Sequence, residues 1–130
     1  MAKSFNTFII ALFFVLFLGG CAQSKKSVKL DESMVKMLRS EVKVYDQSEL
    51  SMSKFDIIEP LQATSCMNKP WESAASQENG IDQLRYKAYL KGANALFKVF
   101  CEPKVHMNVQ ADCINSVTCY GVAIKVIRKY

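Results

Sequence analysis

Five cysteines are the residues of this chain best suited to chemistry, and one of them stands apart from the rest. Cys21 follows Leu18-Gly19-Gly20, where an uncharged apolar run gives way to a polar one. A Leu, two small residues and a Cys form the lipobox that bacterial lipoprotein-processing enzymes recognise. The thiol is the nucleophile that can carry a thioether-linked diacylglycerol. The pattern predicts cleavage before Cys21 and lipid attachment at its sulfur.

The residues before Cys21 have the organisation of an export signal. Lys3 supplies a short positive region, and Phe8 to Leu18 form an apolar run of 11 residues. A membrane-spanning helix needs roughly 20 residues, so residues 1–20 are predicted to be a signal peptide that is removed. The alternatives are an ordinary secretory signal or a short membrane anchor in which the Cys is incidental.

The mature chain is the size of one small domain with a mild positive charge. Residues 21–130 number 110, enough for one domain. They hold 16 basic and 12 acidic groups, a net charge of +4 that is spread along the sequence. This charge fits contact with anionic lipid or lipopolysaccharide surfaces, and it is too diffuse to indicate nucleic-acid binding.

The other four cysteines indicate disulfides rather than a metal site. An even number of cysteines in a small exported domain predicts two bridges, and each would stabilise the fold by roughly 2–4 kcal/mol. Zinc sites usually bring two ligands from one tight turn, as in C-x-x-C, and the chain has no such pair. The only histidine, His106, has no carboxylate or Cys at ligand spacing. The spacing of Cys66, Cys101, Cys113 and Cys119 leaves three pairings open.

Motifs of known catalytic machinery are missing from the sequence. It contains no G-x-S-x-G, no H-E-x-x-H, no glycine-rich phosphate loop and no C-x-x-C. No nucleophile can be identified to act with His106, which falls in a predicted loop over 102–115. We therefore expect a binding or sensing module without a cofactor, and not an enzyme.

The first part of the mature chain is predicted to be a tether. Residues 22–28 are polar and flexible in character, and residues 31–39 form either more tether or a short, marginal helix. Their one apolar cluster, Met34 to Leu38, is a candidate for docking on a partner or a membrane. We place a lipid-anchored tether over 21–40 and a folded domain over 41–130.

Alternating and helical patterns predict the elements of that domain. Residues 41–45 alternate as a strand, and Asp46 can begin a helical turn. A second strand starts at Phe55, with Pro60 as a break, an edge position or a bulge. Trp71 lies in a predicted loop over 68–80, where we expect it to cover a small core.

A helix and two more strands complete the predicted order. Asn79 is the expected helix cap, and Ile81, Leu84 and Ala88 form an apolar stripe, with Arg85, Lys87 and Lys91 on a solvated face. Gly92-Ala93-Asn94 ends the helix and leads into strand 95–101, and the last strand covers 119–127. The order β-β-α-β-β predicts an α+β domain. One helix would cover a small, mainly antiparallel sheet stapled by two disulfides.

The order of these pieces resembles RcsF-like outer-membrane lipoproteins. The resemblance covers about residues 42–127, together with the lipobox. It rests on Val44-Tyr45, Phe55, Thr64-Ser65-Cys66, Lys91-Gly92-Ala93-Asn94-Ala95, Phe100-Cys101-Glu102, Cys113, Val117-Thr118-Cys119 and Gly121. In that family the first Cys pairs with the third and the second with the fourth. The resemblance thus implies the bridges Cys66–Cys113 and Cys101–Cys119.

The resemblance also implies a role and partners. Members of the family sense envelope stress for the Rcs phosphorelay from the outer membrane. Their linkers pass through outer-membrane β-barrels, and their periplasmic domains contact the inner-membrane regulator IgaA. The family's linker is longer, basic and rich in proline. In this chain, residues 22–40 contain no Pro and reach only roughly 65 Å when extended. That length serves to thread a barrel or to stand off the membrane, but hardly both.

The position after the lipobox bears on localisation. Ala22 stands where an Asp would resemble an inner-membrane retention signal, so the outer membrane is expected, with the domain facing the periplasm. A triacylated Cys21 would anchor the chain stably. The alternative function is a structural or envelope-binding lipoprotein without a signalling role.

Overall fold

A computed structural model describes residues 28–104 and 113–129, without the side chains of Lys104, Arg128 and Lys129. The predicted signal peptide over residues 1–20, Cys21 and His106 therefore lie outside the described residues. The elements are α1 (Glu32–Glu41), β1 (Lys43–Tyr45), α2 (Gln47–Leu50), β2 (Ser53–Met67), α3 (Gln77–Leu90), β3 (Ala95–Lys104) and β4 (Asn115–Lys129).

The four strands form one mixed sheet in the order β1-β3-β4-β2. β4 lies at its centre and pairs antiparallel with both β2 and β3, while β1 pairs parallel with β3. The α+β class and the mainly antiparallel sheet predicted from the sequence are confirmed. The predicted strand-strand-helix-strand-strand order is also confirmed, with α1 and α2 as additional helices.

Each face of the sheet has its own apolar cluster. On one face, Leu84 and Ala88 of α3 are fully buried against Ala63, Leu96 and Ala123. The opposite face holds a second cluster of Leu50, Ala95 and Ile124, with Phe55, Phe97, Val122 and Val126 packed beside it. Because side chains alternate along a strand, the neighbours Ala123 and Ile124 supply one residue to each cluster.

A short hinge turns α3 directly into β3. Gly92 has φ +76°, a left-handed conformation that an L side chain rarely adopts, and it directly follows the C-cap Lys91. The Asn94 side chain then binds the β4 backbone twice. Its Oδ1 accepts from Val126 N at 2.8 Å, and its Nδ2 donates to Val126 O at 3.0 Å. These bonds fix the point at which β3 joins the sheet.

Part of the segment predicted as a tether over 21–40 is helical, and residues 21–27 lie outside the described residues. Residues 32–41 form α1, which packs on α3 and buries Leu38 completely. Of the two interpretations of 31–39, the short helix is confirmed, and this segment has a buried residue and specific partners on α3. Glu41 consequently ends a helix, and the first strand begins at Lys43 rather than at residue 41.

Three local predictions around β2 and α3 are resolved. Pro60 does not interrupt β2; it lies on an edge strand beside a register shift between Ile57 and Glu59. The cap of α3 is Ser76, whose hydroxyl accepts from Asn79 N at 3.1 Å, so the prediction of Asn79 as the cap was wrong. The Asp46 helical turn is confirmed: its side chain and Glu49 form a reciprocal capping box.

Candidate functional site at the tether junction

Two interleaved disulfides secure the end of the sheet nearest the start of α3. Cys66 is bonded to Cys113 and Cys101 to Cys119, with Cα–Cα distances of 5.4 and 4.0 Å. Cys101 and Cys119 are direct partners across the β3–β4 ladder, and Cys66 lies near the end of β2. The two predicted disulfides are thereby confirmed, with the pairing that the family resemblance implied.

The helix that follows the tether is capped by a carboxylate. The Asp31 side chain accepts from Met34 N at 2.7 Å and from the Ser33 hydroxyl at 2.8 Å. These hydrogen bonds favour the charged form, so they hold the pKa of Asp31 below its usual value. A capped α1 begins sharply at Glu32, which places Leu38 toward α3.

A cluster of charged side chains, which we call the docking cluster, holds α1 against α3. It consists of Arg39, Glu78, Asp82 and Arg85. The Asp82 side chain is only 4% exposed, and its two oxygens accept from Arg39 at 3.1 and 2.7 Å and from Arg85 at 2.7 Å. Arg39 also contacts Glu78 at 2.6 Å. A carboxylate this deeply buried is stable only with such partners.

The docking cluster also binds the chain beyond α1. Arg85 Nε donates to Val42 O at 3.2 Å, just where α1 leads into β1. The hydrogen bond to Asp82, together with that to Glu78, raises the pKa of Arg39 further above its already high value. Arg39 therefore remains charged throughout the accessible pH range. The expectation that Arg85 lies on a solvated face was wrong, because its side chain is 17% exposed and paired.

The buried amide of Gln83 binds the first described residue of the tether. Its Oε1 accepts from Val28 N at 3.1 Å, and its Nε2 donates to Val28 O. The two bonds reproduce the way a neighbouring strand would hold that residue. Together with the docking cluster they fix the exit of the tether on the second turn of α3.

The chemistry of this junction is that of an attachment point. A surface cavity of about 530 Å³ lies beside it, lined by Arg39, Gln77, Glu78, Ile81 and Arg85. Its two arginines are already ion-paired within the docking cluster. The arrangement therefore positions one chain segment on another and offers no free nucleophile or base.

A rigid turn carries the only tryptophan away from the core. In the Trp71 turn, residues 68–72, Glu72 N donates to Lys69 O at 3.0 Å. The Glu72 carboxylate accepts from the backbone N–H groups of Asn68 and Lys69 at 3.0 and 3.3 Å. Trp71 is 79% exposed, and the Lys69 ammonium lies 5.5 Å from its ring centroid. The prediction that Trp71 covers the core was wrong.

The described part of the chain has neither a cluster of metal ligands nor a helix suited to span a membrane. Residues 28–104 and 113–129 contain no group of three His, Cys, Asp or Glu side chains arranged to hold a metal ion. None of the helices in these ranges combines the length and the apolar character needed to cross a bilayer.

Sequence reasoning did not identify the docking cluster or Gln83. The sequence indicates no partner for Asp82 in the predicted helix, or for Arg39 in the segment predicted to be tether or a short helix. The contacts of Arg39 with Asp82 and of Gln83 with Val28 join residues 43 and 55 positions apart. No local spacing marks such pairs. The one available signal was a polar dipeptide, Asp82-Gln83, directly before the apolar stripe residue Leu84.

Comparisons with known proteins reveal distant structural similarity alone. No protein-family model matches the chain, and no curated protein matches it. Among solved structures, the chain is similar to a protein of unknown function from Pediococcus pentosaceus, described as a member of the DUF74 family. The TM-score is 0.42 at 21% sequence identity, over 65% of this chain and 98% of that chain.

Proposed function

We propose that this chain is a lipid-anchored outer-membrane lipoprotein that relays envelope stress to an Rcs-type phosphorelay through protein–protein contact. The observation that carries the proposal is the interleaved pairing of Cys66–Cys113 and Cys101–Cys119. That pairing is the one implied by the resemblance to RcsF-like lipoproteins. The lipobox at Cys21 supports the anchor.

The docked α1 sets how far the domain can move from its anchor. Cys21 and Val28 are separated by seven residues, which extend to at most about 25 Å. If α1 leaves α3 and unfolds, the free segment runs from Cys21 to Val42 and extends to about 70 Å. Release of one helix thus nearly triples the reach of the domain. This change is a physical basis for a domain that is either held at the membrane or free to signal.

The same arithmetic limits how the tether can pass a barrel. The apolar band of an outer-membrane barrel is about 25 Å tall. The seven residues from Cys21 to Val28 extend only far enough to cross this band. Threading through an outer-membrane β-barrel therefore requires that α1 be released from the docking cluster. In that state the disulfide-bonded domain would reach toward an inner-membrane, IgaA-like regulator.

A phosphorelay reporter in cells that lack the gene tests the proposal. Wild-type protein should restore the response to envelope damage, and Cys21→Ser should abolish it. Asp82→Ala, which frees α1, should raise signalling without damage, whereas Lys36→Gln on the exposed side of the same helix should not. An identical response with and without the gene would overturn the proposal and favour the envelope-binding lipoprotein without a signalling role.

A further inference from the structure

The Trp71 turn presents a large apolar ring to water on a rigid support. Three hydrogen bonds of Glu72 close the turn. The chain that follows the turn is also held to the sheet. Ala75 N donates to Asn115 Oδ1 at 2.9 Å, and Ser76 N donates to Ser65 Oγ at 3.1 Å. At 79% exposure, the Trp71 indole gains little burial free energy within this domain. Such a residue is suited to a surface outside the domain.

The tether brings one such surface close. With α1 docked, a lipidated Cys21 lies at most about 25 Å from Val28, and Val28 is bound by Gln83 on α3. Gln83 lies about 10 Å along the helix from Ser76. Trp71 lies at most about 18 Å of extended chain before Ser76. The exit of the tether and the Trp71 turn are therefore both connected to the N-terminal half of α3.

The residue types fit the boundary between lipid and water. Tryptophan is enriched at that boundary because its ring is apolar and its N–H is polar. The Lys69 ammonium lies 5.5 Å from the ring centroid, and its long side chain lets it reach toward lipid phosphates. Glu72, the acidic residue of the turn, is engaged by two backbone N–H groups and does not oppose this contact.

From these observations we propose that Trp71 and Lys69 dock on the phospholipid bilayer that holds Cys21. The inference rests on the proposed lipidation, and it goes further by naming a second membrane contact on the folded domain. The other apolar side chains of the described residues that are more than half exposed lie elsewhere: Leu90 ends α3, Phe100 stacks on Tyr120 on the sheet face away from α3, Met52 directly precedes β2, Ile57 lies near the start of β2, and Ile127 lies near the end of β4. The domain would thus have a fixed orientation on the membrane, with that sheet face turned to the periplasm.

The single tryptophan makes the test direct. The acylated full-length mature protein is inserted into the outer face of vesicles of phosphatidylethanolamine with a minority of phosphatidylglycerol. We expect blue-shifted Trp71 emission, strong quenching by lipids brominated near the headgroup, and weak quenching by iodide. Lys69→Glu should raise the water-exposed population at least about fivefold, the effect of one basic charge near an anionic surface.

A matched control moves the probe to the opposite face. In the double variant Trp71→Phe/Phe100→Trp, the tryptophan should remain accessible to iodide and insensitive to brominated lipid. The inference is overturned if Trp71 is as accessible as the control. It is also overturned if Trp71 is protected only when other envelope proteins are present, which would indicate a protein partner. Mass analysis of the N-terminal peptide shows whether Cys21 carries lipid. A Cys21 without lipid in the mature protein would overturn both the proposed function and the proposed membrane contact.

Discussion

Gly80 lies directly against the sulfur of Cys119. A Cβ added to Gly80 would come 2.5 Å from Cys119 Sγ, closer than real Cβ contacts allow. The first turn of α3 thus packs directly against the Cys101–Cys119 bridge. This close approach leaves no room for a side chain at position 80 and explains a glycine inside the helix.

Replacing Gly80 by Ala should destabilise the domain. On a free helix surface the change would stabilise by about 1 kcal/mol, but here the added methyl overpacks the bridge at a typical cost of about 1–3 kcal/mol. Urea unfolding measures the net loss. In a Cys101→Ala/Cys119→Ala background the same change should be tolerated, because the sulfur is gone. An equal loss in both backgrounds would contradict this packing.

The two bridges should contribute unequally to stability. Cys66–Cys113 and Cys101–Cys119 close separations of 47 and 18 residues. Chain entropy then predicts losses of about 4 and about 3 kcal/mol when each pair is replaced by Ala. Denaturant unfolding of the two double variants provides the comparison. A negligible loss of unfolding free energy in the Cys66→Ala/Cys113→Ala variant would contradict the chain-entropy prediction for the longer loop.

Asp82 should control the docking of α1. We expect Asp82→Ala to cost about 2–3 kcal/mol, less than the removal of one partner from a fully buried pair, because Arg39 and Arg85 stay partly hydrated. Hydrogen exchange should speed up over residues 32–41 while β4 stays protected. Glu78→Gln is the control, since its exposed pair contributes little. Equal loss of protection in α1 and β4 would argue against a separately detachable helix.

Acid should weaken the cap of α1. The folded-state pKa of Asp31 lies below its unfolded value, so the stabilisation is complete above about pH 4 and is lost as the pH falls through the folded pKa. The amide shift of Met34, which donates to Asp31, should follow this titration in an NMR series. Asp31→Asn should remove the titration from that amide. A Met34 shift that does not change between pH 5 and the acid limit would disprove the cap.

What the sequence predicted depended on local pattern. Alternation in 119–127 predicts opposite faces for Ala123 and Ile124, and in the structure each is fully buried in a different apolar cluster. The stripe of Leu84 and Ala88 likewise identified the face of α3 that meets the sheet. These signals work because strands and helices have fixed side-chain periods.

What the sequence left open or predicted wrongly depends on contacts between distant residues, which the periodicity of a helix or strand does not indicate. The spacing of four cysteines left three pairings, and only the family resemblance selected one. Residues 31–39 have the pattern of a tether or a marginal helix, because the docking of α1 depends on Asp82, which lies far along the chain. Trp71 was assigned to the core from its residue type alone, whereas the hydrogen bonds of Glu72 hold its turn outward.

Mass analysis of the mature N-terminal peptide, isolated from bacterial envelopes without reduction, tests the central claim most directly. The account predicts a peptide that begins at Cys21 and carries a thioether-linked diacylglycerol with an additional amide-linked acyl chain. A chain cleaved elsewhere, or a Cys21 without lipid, would contradict a lipid-anchored signalling lipoprotein.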